Sequence, residues 1–122
     1  MSTSRPCDPQ PFLEAIDDDR EAYAEMVDLF RETGRAQIER VIAASHAADV
    51  AELHESLHAL SGSLSIVNAD ASLQMMRCMR TAMARRDRGE LVALAERLMP
   101  EFERVCQELD RWCPAHDGGQ GR

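Results

Sequence analysis

The chain has no lysine: all fourteen of its basic residues are arginine, set against twenty-two acidic ones for a formal net charge of −8. A broad basic surface is therefore excluded, and with it sequence-independent binding of nucleic acid, which needs many cations facing the phosphates. Aromatic residues are also scarce, at three Phe, one Tyr and one Trp. The core must then be made of Leu, Met and Ala, a mixture that suits packed helices better than sheets. Few runs alternate with a period of two. No stretch approaches the ~20 apolar residues of a membrane span, and the first residues lack the apolar region of a secretory signal, so a soluble cytoplasmic protein is expected. The four cysteines, Cys7, Cys78, Cys106 and Cys113, show no metal-ligand spacing. In a reducing compartment they remain thiols, serving as small apolar fillers or surface groups.

Spacings of three and four between apolar residues recur throughout, and 122 residues fit one domain. Residues 1–11, with Pro6, Pro9 and Pro11, are expected to form a flexible arm, residues 12–113 a helical bundle, and residues 114–122 a disordered tail. Three helix starts carry an Asp with Glu three residues on: Asp18 and Glu21, Asp49 and Glu52, Asp87 and Glu90. Such pairs satisfy free backbone N–H groups and suit the positive end of a helix. A short helix is expected over 12–16, then long helices over 19–45, 50–66, 69–85 and from 88 onward. The first long helix turns Tyr23, Met26, Val27, Phe30, Gly34, Ile38 and Val41 inward, with Gly34 allowing a neighbour to approach closely. The second buries Val50, Leu53, Leu57, Leu60 and Leu64, and Asn68 supplies a left-handed stop. Leu73, Met76 and Met83 face inward from the third; Leu91, Leu94, Leu98, Phe102, Val105, Leu109 and Trp112 form the stripe of the fourth. The expected fold is all-α, an antiparallel four-helix bundle with a short N-terminal helix.

His58 stands apart from the apolar stripe of its own helix. At 100° per residue it lies well over a quarter turn from the centre of that stripe, so it faces solvent on the flank of the bundle. Ala51, Ser61, Gly62 and Ser65 share its face, with His54 one turn before. All but His54 are small. An exposed imidazole over a flat patch of small residues gives a partner's active site steric access, and a neutral imidazole is a competent nucleophile near pH 7.

The run His58-Ala59-Leu60-Ser61-Gly62-Ser63, followed by Asn68-Ala69, resembles the phosphoacceptor motif of histidine-containing phosphotransfer (HPt) domains. That motif reads His-x-Leu-Lys-Gly-Ser, with a Gly-Ala pair a few residues later. The likeness extends over residues 12–112, including Leu29-Phe30 in the preceding helix. It implies that His58 accepts a phosphoryl group, that Gly62 keeps space open beside the imidazole, and that Leu60 anchors the helix in the core. Ser61 stands where the family has Lys, so a cation is missing there; Arg77 and Arg80, on the edge of the third helix, are candidates to supply it. Asn68 replaces Gly, a mild change because Asn also tolerates the left-handed conformation. By the same resemblance the chain is a phosphoryl carrier in a multistep His–Asp phosphorelay, without turnover of its own. It would need no cofactor, the receiver domain of a response regulator bringing Mg²⁺. Its partners would be such receivers and a hybrid histidine kinase.

Two other readings share these residues. His54-Glu55-Ser56-Leu57-His58 reads H-E-x-x-H, the helix signature of zinc hydrolases. The longer metalloprotease forms continue with Gly and a third His, where this chain has Ser61 and Leu64, and His-x-Leu-x-Gly-Ser is the rarer chance match at this composition. No bound metal is expected. The second alternative is a helical protein-interaction module that docks a partner on the same face without phosphotransfer.

Overall fold

The computed structural model describes residues 5–112, which form five helices: α1 (Gln10–Ala15), α2 (Arg20–Ala47), α3 (Val50–Ile66), α4 (Asp70–Ala84) and α5 (Arg88–Arg111). Among the described residues there is no strand, and the protein is all-α. The expected tail at 114–122 lies outside the described residues.

Aspartates set three of the helix starts. The carboxylates of Asp19, Asp49 and Asp87 accept the backbone N–H of Ala22, Glu52 and Glu90 at 3.1, 3.1 and 3.0 Å. Each bond satisfies one donor that the first turn leaves free and puts negative charge at the positive helix end. For α2 the cap is Asp19, not the Asp18 expected. Asp17 and Asp18 are instead left-handed, at φ 55° and 56°, in the turn that leaves α1.

The three connections between long helices close in one way. Ala48, Asn68 and Arg86 turn left-handed, at φ 55°, 53° and 60°. The next N–H then reaches back five residues: Asp49 to Ala44 at 3.0 Å, Ala69 to Leu64 at 3.1 Å, Asp87 to Ala82 at 2.9 Å. This closure satisfies carbonyls that the last turn would leave orphaned. Asp49 and Asp87 therefore end one helix and cap the next. Such short connections turn each helix back along its predecessor.

The four long helices form a ring in which α2 packs on α3 and α5, and α4 packs on the same two. Tyr23 near the start of α2 donates to the Leu109 carbonyl near the end of α5 at 2.6 Å. His46 in the last turn of α2 meets Glu96 in the first half of α5 at 2.7 Å, so these two helices run in opposite directions. Leu53, Leu57, Leu60 and Leu64 of α3 are buried as expected, but Val50 is 61% exposed. It is the first residue of α3, where the bundle ends, and it rims an open groove with Leu53, Ala82, Met83 and Leu91. In α4, Met76 and Met79 are fully buried while Leu73 and Met83 are only partly covered.

The arm expected over 1–11 is tied down from Arg5 onward. Cys7 is 2% exposed. The Asp8 N–H donates to the Val67 carbonyl at 2.8 Å, and the Asn68 amide donates to the Asp8 carbonyl at 3.1 Å. The α3–α4 connection lacks an Asp cap, and these bonds hold it in place. Helix α1 begins at Gln10, two residues before its expected start, with Pro11 in its first turn where a missing N–H costs nothing.

A Cβ built on Gly34 would stand 2.5 Å from Phe102 Cε1, and that ring is itself 1% exposed and stacked on Phe30 at 5.3 Å. The ring has nowhere to go. Gly34→Ala should therefore lower unfolding free energy by about 1–3 kcal/mol in urea titration, the overpacking cost exceeding the helix-propensity gain. The thiols offer a second check. Burial pushes Cys7 up to about 12 and Cys106 up to about 11, whereas Cys78 is exposed. An acid raised on folding leaves stability intact below its unfolded value of 9.0 and erodes it as pH climbs from there toward 11–12. Iodoacetamide at pH 8 should label Cys78 in the native protein and reach Cys7 and Cys106 only after unfolding, as read by peptide mass mapping.

Candidate functional site

Helix α3 has two faces of different character. One carries Leu53, Leu57, Leu60 and Leu64, each no more than 1% exposed. The other carries Ala51, His54, Glu55, His58, Gly62 and Ser65, all exposed. Links on either side hold the roll of the helix. On the α2 side the Ser63 hydroxyl donates to Gln37 Oε1 at 2.9 Å, and Arg40 pairs with Glu52 at 2.8 Å. On the α4 side the Arg80 guanidinium donates to Ser61 Oγ at 3.2 Å. Because the backbone turns 100° per residue, these links fix where His58 points.

The His58 imidazole is exposed, with no hydrogen bond or ion pair to any described residue. Neither nitrogen is committed to a described residue. His54, one turn earlier, is exposed as well. At Gly62, one turn later, an added Cβ would meet nothing within 4 Å. No contact with a described residue demands glycine there, and Gly62 is exposed, so the space it leaves opens outward. Ser65 turns its hydroxyl back to the Ser61 carbonyl at 2.8 Å and so keeps a low profile.

The structure thus gathers His58, Ser61, Gly62, Ser65 and Arg80 on one flank, with His54 at its edge. Leu60 is fully buried and belongs to the core. Arg77 is held within α4, where Nε and Nη2 donate to Gln74 Oε1 at 3.0 and 2.6 Å. Gln37 and Arg40, absent from the sequence reading of the site, steady α3 from α2; helical periodicity marks both as polar positions and names no partner across a helix boundary.

The H-E-x-x-H residues do not converge. Glu55 faces Arg40, 3.9 Å away, and among the described residues no three His, Cys, Asp or Glu side chains gather as a metal site would require. The apolar groove beside Val50 is not lined by His58. The imidazole lies on the exposed face of α3, which suits access by another protein better than enclosure of a small substrate.

A family model described as "Hpt domain" matches residues 25–118. No curated protein and no solved structure matches the chain.

Open space at Gly62 makes a direct expectation. Gly62→Ala should raise unfolding free energy by about 0.5–1 kcal/mol in urea titration, since alanine favours the helix and nothing resists its methyl.

Proposed function

The chain belongs to the Hpt domain family, and from that premise we propose that His58 is its phosphoacceptor, in a phosphotransfer protein of a multistep His–Asp relay. The observation that carries this reading is an exposed, uncommitted imidazole held at a fixed roll on a helix whose opposite face is buried. A receiver domain bearing an aspartyl phosphate docks on the flank of His54, His58, Gly62 and Ser65. A nitrogen lone pair of neutral His58, Nε2 by resemblance to the family, attacks phosphorus in line. The new P–N bond forms as the P–O bond to the aspartate breaks, and the aspartate leaves as a carboxylate. The other ring nitrogen keeps its proton, so the imidazole takes up the positive charge. A second receiver's aspartate reverses the step. Mg²⁺ and the acidic pocket belong to the receiver, and a hybrid histidine kinase is the upstream source.

Leu60 contributes by anchoring α3, and Ser61 and Ser65 by keeping the approach low. The chain is a carrier, not an enzyme. Among the described residues no helix is long and apolar enough to cross a membrane, and we assign the carrier to the cytoplasm, where such receivers work.

The test is phosphoryl transfer from a panel of phosphorylated receiver domains, followed by native mass spectrometry at neutral pH because phosphohistidine is lost in acid. Wild type and Glu55→Gln should gain one phosphate and His58→Gln none. No transfer from any donor would reduce the chain to a docking module. Loss of function in Glu55→Gln alone would revive the zinc reading.

A further inference from the structure

The substitution of Ser61 for lysine leaves α3 without a cation beside His58. A phosphoryl group carries two negative charges near neutral pH, and transfer spreads charge over its equatorial oxygens, so a fixed positive group there stabilises both product and transition state. The neighbouring helix brings one to the same place. Arg80 reaches from α4 to Ser61 Oγ at 3.2 Å, and Ser61 is three residues after His58 on the same helix. That spacing puts β-carbons about 5–6 Å apart, within reach of a guanidinium held at one of them.

Two further observations mark Arg80 out. It is partly buried, and among the described residues no carboxylate pairs with it, whereas Arg31 and Arg35, the other partly buried arginines, each have an acidic partner. A guanidinium has five donors, and a single bond to a neutral hydroxyl leaves most of them without an acceptor among the described residues. Arg77, the other candidate, is exposed and already engaged by Gln74.

We propose that Arg80, positioned by the Ser61 hydroxyl, supplies the cation that holds the phosphoryl group on His58, so that the charge expected on α3 has moved to α4. The inference rests on His58 being the acceptor. Arg80 makes and breaks no covalent bond; its remaining N–H groups donate to phosphoryl oxygens, in pairs where the fork geometry permits. Ser61 has a matching part. A lysine at 61 would repel the guanidinium from the place it now occupies, whereas a hydroxyl accepts from it.

The experiment loads His58 from phosphoramidate, a small donor that needs no docking, and follows phosphohistidine by phosphorus NMR at neutral pH. Arg80→Ala should load about 10- to 100-fold more slowly than wild type, the range for losing a charge-assisted hydrogen bond in the transition state, while its melting temperature falls by only a few degrees, the cost of one hydrogen bond to a neutral hydroxyl. Arg104→Ala, which removes the same charge from α5, should load at the wild-type rate. The double variant Ser61→Lys with Arg80→Ala should recover most of the loss, because it returns the cation to α3. Wild-type loading by Arg80→Ala, or failure of Ser61→Lys to restore it, would overturn the proposal and leave Arg80 a structural residue. If wild type takes no phosphate, or His58→Gln takes as much, the acceptor assignment itself falls, a result distinct from either.

Discussion

The ring of Phe102 lying against the bare backbone of Gly34 sets how close α2 and α5 come, and the rest of the bundle is built outward from that contact. Phe30 stacks on the same ring at 5.3 Å, and the Arg35 guanidinium lies over it at 5.9 Å while pairing with Glu103 at 2.8 Å. One layer thus combines close packing, ring stacking and a cation over an aromatic face. With these two helices fixed, α3 and α4 complete the ring, and the four leucines of α3 have a rigid surface to bury against. A chain with five aromatic residues has placed two of them where a loss of spacing would be felt by every other helix.

That rigidity matters because the candidate site has no enclosure of its own. The His58 imidazole is exposed, and nothing described in the chain orients it by hydrogen bonding. Its position follows from the roll of α3, held by Ser63 and Glu52 toward α2 and by Ser61 toward α4. A nucleophile that must fit another protein's pocket benefits from this arrangement, since the scaffold fixes where it stands and leaves its reactive nitrogen uncommitted.

Much of this was legible in the sequence. Asp49 and Asp87 mark their helices because an N-cap is a local interaction, written within four residues. Asp18 misled by one place because three consecutive aspartates offer the same chemistry, and only the turn after α1 decides among them. Val50 kept the helical period but lost its cover, since periodicity cannot tell where a neighbouring helix stops. The arm at residues 5–9 looked loose because its partners, Val67 and Asn68, lie some sixty residues away. The exposed histidine and its small neighbours were readable from period and motif together. That Arg80 meets Ser61 was not readable, because nineteen residues and a helix boundary separate them.

The tie between the arm and the far end of the chain has a consequence for how the protein can be wired to others. Arg5 lies over the Trp112 ring at 5.2 Å, and the Cys7 thiol meets the Val105 carbonyl at 3.8 Å, so the first and last described residues share one pole of the bundle. Helix α3 ends at that pole, at Ile66, and His58 stands eight residues back, about 12 Å along the axis. A flexible tether of twenty residues has a typical reach of about 25 Å. A receiver joined to either end by such a linker could come to the His58 flank without crossing the bundle. It would meet the imidazole at an effective concentration on the order of millimolar. Geometry alone would then favour a tethered donor over a free one, whichever end carried it.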